Sequence, residues 1–444
     1  MLLGYALQRR AGFYEEVALV WLTLALVVTV IGVLGGPWVH RRGIRRVVLE
    51  RVLTAGAGLQ LVLLLLEPPG MYLQISDSAQ LLPFQWGIVA AGCLLLAAAS
   101  GLRLARRTWF PMLLVVHFGL GIWLIEASPN PHIDVVTVHR EAIAALLDGH
   151  NPYSITFANI YESDTPLYPE GMVVDQRVQF GLPYPPLSLL LVVPGALLGG
   201  DYRYANLAAM SLAGAAIGYS TPATVARLAA TLVLFTPRVF FVLEQGWTEP
   251  VVVLLLALTV FCTLNATART PLALGGLVAV KQYMVLVLPL ALLLIPRPWW
   301  PGSLAMLWRV MAVALAVTLP FFVWDPPAFI RAVITLQIYE PFRLDSLSYL
   351  SFLARHLSTP PPMWAGLVPA VLAIALVLWK DQRTPAGFAA AVALVMFVVF
   401  AFGKKAFCNY YFFVIGALCC AAAASTHAGD ANRESTDQSR SGPL

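Results

Sequence analysis

The segment HIDVVTVHREAIAALLDGHNPY, residues 132–153, sets one carboxylate, Asp134, and histidines 132, 139 and 150 into a chain made mostly of Leu, Val and Ala. A carboxylate beside an apolar surface holds its proton more tightly than usual and suits a general base acting on a hydroxyl. Asp134 also stands where a helix begins, and Asp is a favoured N-cap. Its position supports both roles equally. The histidines raise the question of a metal, because His-x-Asp spacing can hold a divalent ion. No HxxxH or HExxH pattern accompanies them, so no metal is assigned.

Other polar residues interrupt apolar runs further along. Lys281 is followed by Gln282 and Tyr283, and Glu244 and Glu249 flank Gln245-Gly246-Trp247-Thr248. Ionisable groups inside membrane spans are costly and tend to line a polar cavity, although at a helix end they simply reach water. Arg343 and Asp345 in EPFRLDSLSY, and Lys404, Lys405, Asn409 and Tyr410 in GKKAFCNYYF, form a weaker set. A cation there either stabilises a phosphate leaving group or anchors a helix end. Tyr184-Pro185-Pro186-Leu187 opens an apolar run. Tyr at an interface and Pro in a first turn explain it structurally, and a helix N-terminus there also attracts a lipid phosphate.

The elements that must position these groups are membrane helices. The 444 residues are 59% hydrophobic and 11% charged, against roughly 25% charged in soluble domains. Several runs reach the roughly 20 apolar residues that a crossing needs. They do not alternate with polar positions, which excludes spanning strands. The net charge of +5 is scattered over short loops with no basic face, so nucleic acid is not a partner. Arg outnumbers Lys, which fits a GC-rich bacterial genome. Five cysteines without CxxC spacing suggest neither metal nor a disulfide framework.

Apolar runs near 14–34, 47–66, 84–102 and 109–126 read as four helices, the first too long for a signal-peptide core. RRGIRR at 41–46 and RLARR at 103–107 are basic, whereas 67–83 has no Lys or Arg. The positive-inside rule puts the two basic connectors in the cytoplasm and residues after 126 outside. KDQR at 380–383 also reads as cytoplasmic, which puts the polar insert 324–357 outside too. The expected fold is an all-α polytopic bundle of about 12–14 crossings with short extracytoplasmic surface helices. The first of these covers 134–147, with Val135, Val138, Ile143, Leu146 and Leu147 on its apolar side and Gly149 and Pro152 ending it. The division is 1–126, N-terminal helices; 127–182, a loop with the surface helix; 183–424, the main bundle containing the insert 324–357; and 425–444, a disordered polar tail. The side on which residues 244–247 fall stays open.

Asp134 at the head of the first large loop, LLDGHNPY at 146–153 and YPPLSLLLVVP at 184–194 resemble the GT-C integral membrane glycosyltransferases. The likeness is greatest to glycosyltransferase family 87, the actinobacterial polyprenyl-phosphate-mannose-dependent mannosyltransferases. EQGWTEP, VKQY at 280–283, PFRLDS and NYYFF at 409–413 are similar to patterns of that group, and the resemblance covers roughly 127–424. The first three spans, and Glu244–Thr248 where the family often has a GQxN-like segment, depart from it. The resemblance implies an inverting enzyme in the bacterial plasma membrane that needs no nucleotide or other cofactor. It would move a sugar, mannose first, from a polyprenyl phosphate to a cell-envelope glycolipid or polysaccharide on the extracytoplasmic side. Asp134 corresponds to the family's loop aspartate, the general base. Lys281, Arg343 and Lys404 are nominated for the donor phosphate, and Tyr184, Glu244, Glu249, Gln282 and Asn409 for substrate. The alternative is a transporter or flippase of polyprenyl-linked glycans, with Glu244, Glu249 and Lys281 along a midplane path. Such folds are often built from repeats, and no internal repeat is present in the sequence.

Overall fold

Long runs of Leu, Val and Ala in a bilayer satisfy their backbone only as helices, and that is how the chain folds. A computed structural model describes residues 1–35, 46–100, 103–161, 167–295, 299–357, 361–362 and 364–440. The protein is an all-α polytopic membrane protein. Most of the basic connector 41–46 and the last four residues lie outside the described part.

The N-terminal helices are α1 (Leu2–Arg10), α2 (Glu16–Leu34), α3 (Arg46–Leu66), α4 (Leu82–Ala99) and α5 (Arg103–Ala127). The first insert carries α6 (Asp134–Leu147) and a small antiparallel ribbon of β1 (Phe157–Ala158), β2 (Val173–Val174) and β3 (Arg177–Val178), ordered β1-β3-β2. The main bundle then runs through α7 (Pro186–Leu190), α8 (Val193–Gly199), α9 (Arg203–Gly218), α10 (Thr224–Leu234), α11 (Val239–Glu244), α12 (Glu249–Asn265) and α13 (Thr270–Val280). Two 3-10 stretches, Gln282–Val287 and Pro289–Leu294, lead to α14 (Trp299–Trp324). The second insert holds α15 (Pro326–Ile330), a π turn, α16 (Leu336–Tyr339) and α17 (Tyr349–His356). The chain closes with α18 (Trp364–Lys380), α19 (Pro385–Ala401) and α20 (Cys408–Arg440).

Among the described residues six helices are long and apolar enough to cross a membrane: Glu16–Leu34, Val47–Leu66, Ser78–Ala98, Leu104–Ala127, Gly302–Trp324 and Cys408–Thr426. Further apolar helices have 10–17 residues, among them Glu249–Asn265 and Pro385–Ala401. α19 is apolar all round and, apart from half-buried Ala390 and Val399, buried from Phe388 to Phe400, so it forms the centre of the bundle. α18 and α14 instead leave Trp379, Leu372, Trp308 and Val323 exposed, the surface that a lipid would cover.

Both polar inserts lie at one end of the bundle. Ser154 Oγ donates to Asp325 Oδ2 at 2.8 Å, joining the first insert to the second. The turn after α1 joins them: Tyr14 N donates to Asp345 O at 2.8 Å and Phe13 bridges Ser346. At the opposite end Gln382 Nε2 donates to Val33 O, and Arg383 Nη1 donates to the carbonyls of Leu292 and Ile295.

The same contacts place residues 244–247. α7 and α8 begin beside the first insert, where Tyr153 Oη donates to Tyr184 O. They end beside it too, where Arg140 pairs with Asp201 at 3.4 Å. The run 184–199 therefore does not cross the bundle. α11 has six residues and is likewise too short to cross. Gln245 and Trp247 consequently lie at the end that carries the inserts, lining the same cavity as Asp134.

One local expectation needs adjusting. α6 has the expected bounds, and Gly149 ends it at φ +76°. Its buried side, however, is Val136, Val138, His139, Ala142 and Ile143, and Leu147 points outward. The helix is turned because His139 stacks between Tyr202 and Tyr184, with ring centroids 4.9 and 5.5 Å away.

Candidate functional site

Ile133, in extended conformation, caps the first turn of α6, and no side-chain capping bond is made there. Asp134 is thus the first helical residue and does not cap it. Its carboxylate is free to face a cavity of about 310 Å³ at the insert end of the bundle. Tyr168 donates its hydroxyl to Asp134 Oδ2 at 3.2 Å, and the Asp134 amide donates to Tyr161 Oη at 3.3 Å. Burial raises the proton affinity of Asp134 above that of an ordinary aspartate, and the Tyr168 hydroxyl and Val135 amide only partly offset it. Lys405 lowers that affinity and Glu340 raises it.

The cavity brings together Asp134, Lys281, Arg343, Tyr184 and Asn409 from the sequence-derived set. Each cation is held by a carboxylate. α13 stops at Val280 and Lys281 is extended, which turns its ammonium onto the N-terminus of α12. There Lys281 Nζ donates to Thr248 Oγ1 at 2.6 Å, pairs with Glu249 Oε1 at 3.0 Å and lies 4.3 Å from the centre of the Tyr184 ring. Glu249 also accepts from Tyr283 Oη at 3.1 Å, and its Oε2 has no partner. Arg343 makes a fork to Asp345, Nε–Oδ1 2.9 Å and Nη2–Oδ2 2.7 Å, and lies over Phe407. Lys405 pairs with Glu340.

The structure places the remaining nominees away from the cavity lining. Lys404 turns toward the end of α16 and donates to the carbonyls of Gln337, Ile338 and Glu340 at 2.8, 3.2 and 2.8 Å. It satisfies helix-end carbonyls that would otherwise lack donors. Burial lowers its proton affinity. Gln282 donates to Pro183 O at 2.6 Å and to Val333 O. Glu244, fully buried, accepts from the amides of Met71 and Tyr72 at 2.6 and 2.8 Å.

The histidines do not gather. His132 is exposed at the cavity and packs edge-on to Tyr161. His139 is buried, its Nδ1 2.8 Å from Val135 O, and burial lowers its pKa to about 4. His150 is exposed. Among the described residues no group of three or more His, Cys, Asp or Glu could hold a metal ion.

Several lining residues escaped sequence reasoning: Tyr72, Tyr161, Tyr168, Trp247 and Glu340. Tyrosines near a membrane boundary read as interfacial anchors, so their types carried no sign of a shared cavity. The sequence signals were the location of Tyr161 and Tyr168 in the same polar insert as Asp134, and of Trp247 and Glu340 within the segments EQGWTEP and EPFRLDSLSY. Asn409 also lines this space, and its amide Oδ1 has no protein partner.

No family model matches the chain, and no curated protein or solved structure matches it.

Proposed function

We propose that the protein is a glycosyltransferase that moves a sugar, mannose first, from a polyprenyl phosphate to a hydroxyl of a cell-envelope glycolipid or polysaccharide. The reading places the insert end on the extracytoplasmic side of a bacterial plasma membrane, as in the GT-C enzymes that the sequence resembles. The observation that carries it is Asp134: a carboxyl of raised proton affinity, opening onto a cavity that is also lined by cations and by the unpartnered amide oxygen of Asn409.

The chemistry needs one proton acceptor and one anion site. Asp134 takes the proton from the acceptor hydroxyl as its oxygen attacks the anomeric carbon. The bond between that carbon and the phosphate oxygen breaks, its electron pair leaves with the polyprenyl phosphate, and configuration inverts. Arg343 and Lys405 are the cations whose charge reaches Asp134. They are therefore assigned to the leaving phosphate ahead of Lys281 and Lys404. Lys281 is bound into its buried pair with Glu249, and Lys404 into helix-end carbonyls. Neutral side chains around them suit the hydroxyls of a sugar, and the aromatic walls suit its apolar face.

The test uses purified protein in nanodiscs with a radiolabelled polyprenyl-phosphate mannose and octyl α-mannoside as acceptor. Label appearing in the octyl disaccharide supports an enzyme. Label that only changes leaflet in sealed vesicles, with no new glycosidic bond, replaces the enzyme with a flippase.

A further inference from the structure

The N-terminal helices contribute directly to the cavity through the connector between α3 and α4. Met71 and Tyr72 line the cavity. Both of their amides are held by the Glu244 carboxylate, which has no exposed surface. Gly70 lies so close that a Cβ would stand 2.3 Å from Glu244 Oε1. The Tyr72 carbonyl accepts from Ser128 Oγ at 3.1 Å, and Gln74 N donates to Ala127 O at 2.8 Å. Arg238 donates to Pro68 O at 3.1 Å and to Gln8 O at 3.2 Å. It does so from φ +68°, a costly conformation for a side-chain-bearing residue that surrounding contacts must hold in place.

The main bundle therefore uses a buried carboxylate and a half-buried arginine to fix one short connector. A buried carboxylate without partners is expensive, and two charge-assisted amide bonds offset that cost only while the connector stays in place. Tyr72 lines this cavity together with Tyr161. Tyr161 in turn accepts from the Asp134 amide. Tyr72, Tyr161 and Asp134 thus line one space, the space that a hydroxyl giving its proton to Asp134 has to enter.

We infer that residues 67–74 form a fixed specificity wall for the acceptor: Tyr72 contacts a polyhydroxylated acceptor head group, and Glu244 is the positioning residue. The acceptor assignment rests on the glycosyltransferase reading, whereas the positioning by Glu244 does not.

Two measurements separate these parts. In the transfer assay, Tyr72→Ala raises KM for octyl α-mannoside roughly tenfold, as loss of one good polar and stacking contact does. Donor KM stays within about twofold. Tyr72→Phe, which keeps the ring, recovers part of the loss. Unchanged acceptor KM in Tyr72→Ala overturns the acceptor contact. The second measurement needs no catalysis. Met71→Cys is labelled with a maleimide in a Cys93→Ser background, Cys93 being the exposed native thiol. Glu244→Ala speeds labelling, Glu244→Gln does so less, and octyl α-mannoside slows labelling only where Glu244 is intact. Equal labelling rates in all three, with no effect of the glycoside, overturn the fixed wall even if transfer occurs. If no transfer is detected but labelling follows the expected order, the glycosyltransferase reading fails and the wall stands.

Discussion

Tyr168 donates its hydroxyl to Asp134 Oδ2 at 3.2 Å, across 34 residues of the first insert. This bond favours the charged carboxylate, whereas burial favours the protonated acid, and burial is the larger effect. A base of this kind works above its pKa and stops working as pH falls through it. Tyr168→Phe removes a contribution that lowers that pKa. The acid limb of the pH–rate profile therefore moves to higher pH, and the rate on the alkaline plateau changes less than the rate on the acid side. A profile measured from pH 4 to pH 9 checks this.

The same shift has a consequence for stability. A carboxyl whose folded pKa lies above its unfolded value stabilises the fold at low pH and loses that contribution as pH rises through the folded pKa. At neutral pH the charged Asp134 is thus a burden on the fold. Asp134→Asn raises the melting temperature at pH 7 relative to wild type, and the difference narrows as pH falls. Functional carboxylates often carry this trade-off. A thermal melt in detergent at two pH values reads it without any substrate.

Lys281 and Glu249 form a pair with side chains 5% and 0% exposed. Removing one partner leaves an uncompensated charge, which costs about 3–5 kcal/mol. Lys281→Met and Glu249→Gln should each lower thermal stability strongly. The double substitution Lys281→Met with Glu249→Leu should recover most of the loss, because a buried pair is often replaceable by apolar residues of similar volume. A double-mutant cycle on melting temperature measures the coupling.

The helical fold was readable because apolar run length decides it, as Glu16–Leu34 and Leu104–Ala127 demonstrate. α6 was readable because Gly149 and Pro152 punctuate it. Arg343 and Lys281 were found near Asp134's cavity because charged residues stand out against Leu and Val. What the cations do was not readable, since it depends on partners far away in sequence. Lys281 meets Glu249, 32 residues earlier, and Lys404 meets carbonyls of 337–340. The role of Glu244 was hidden for the same reason, its amide donors lying 173 and 172 residues away. Run length also could not separate the short non-crossing helices α7, α8 and α11 from true spans.

Gly70 offers a further check on the connector between α3 and α4. A methyl group there would meet Glu244 Oε1 at 2.3 Å and Cδ at 2.6 Å. Gly70→Ala therefore pushes the connector off its carboxylate and should cost about 1–3 kcal/mol. The variant should melt lower and be cleaved faster by protease within 67–76, with Gly58→Ala, where nothing stands within 4 Å, as the control.

Asp134 as the general base is tested most directly by the initial rate of mannose transfer with Asp134→Asn in nanodiscs, at saturating donor and acceptor and pH 7.5. Loss of a general base predicts a fall of about 10²–10⁴-fold in kcat with the protein still folded. A folded Asp134→Asn that transfers within about threefold of the wild-type rate contradicts that role, since a missing base is not tolerated at that level.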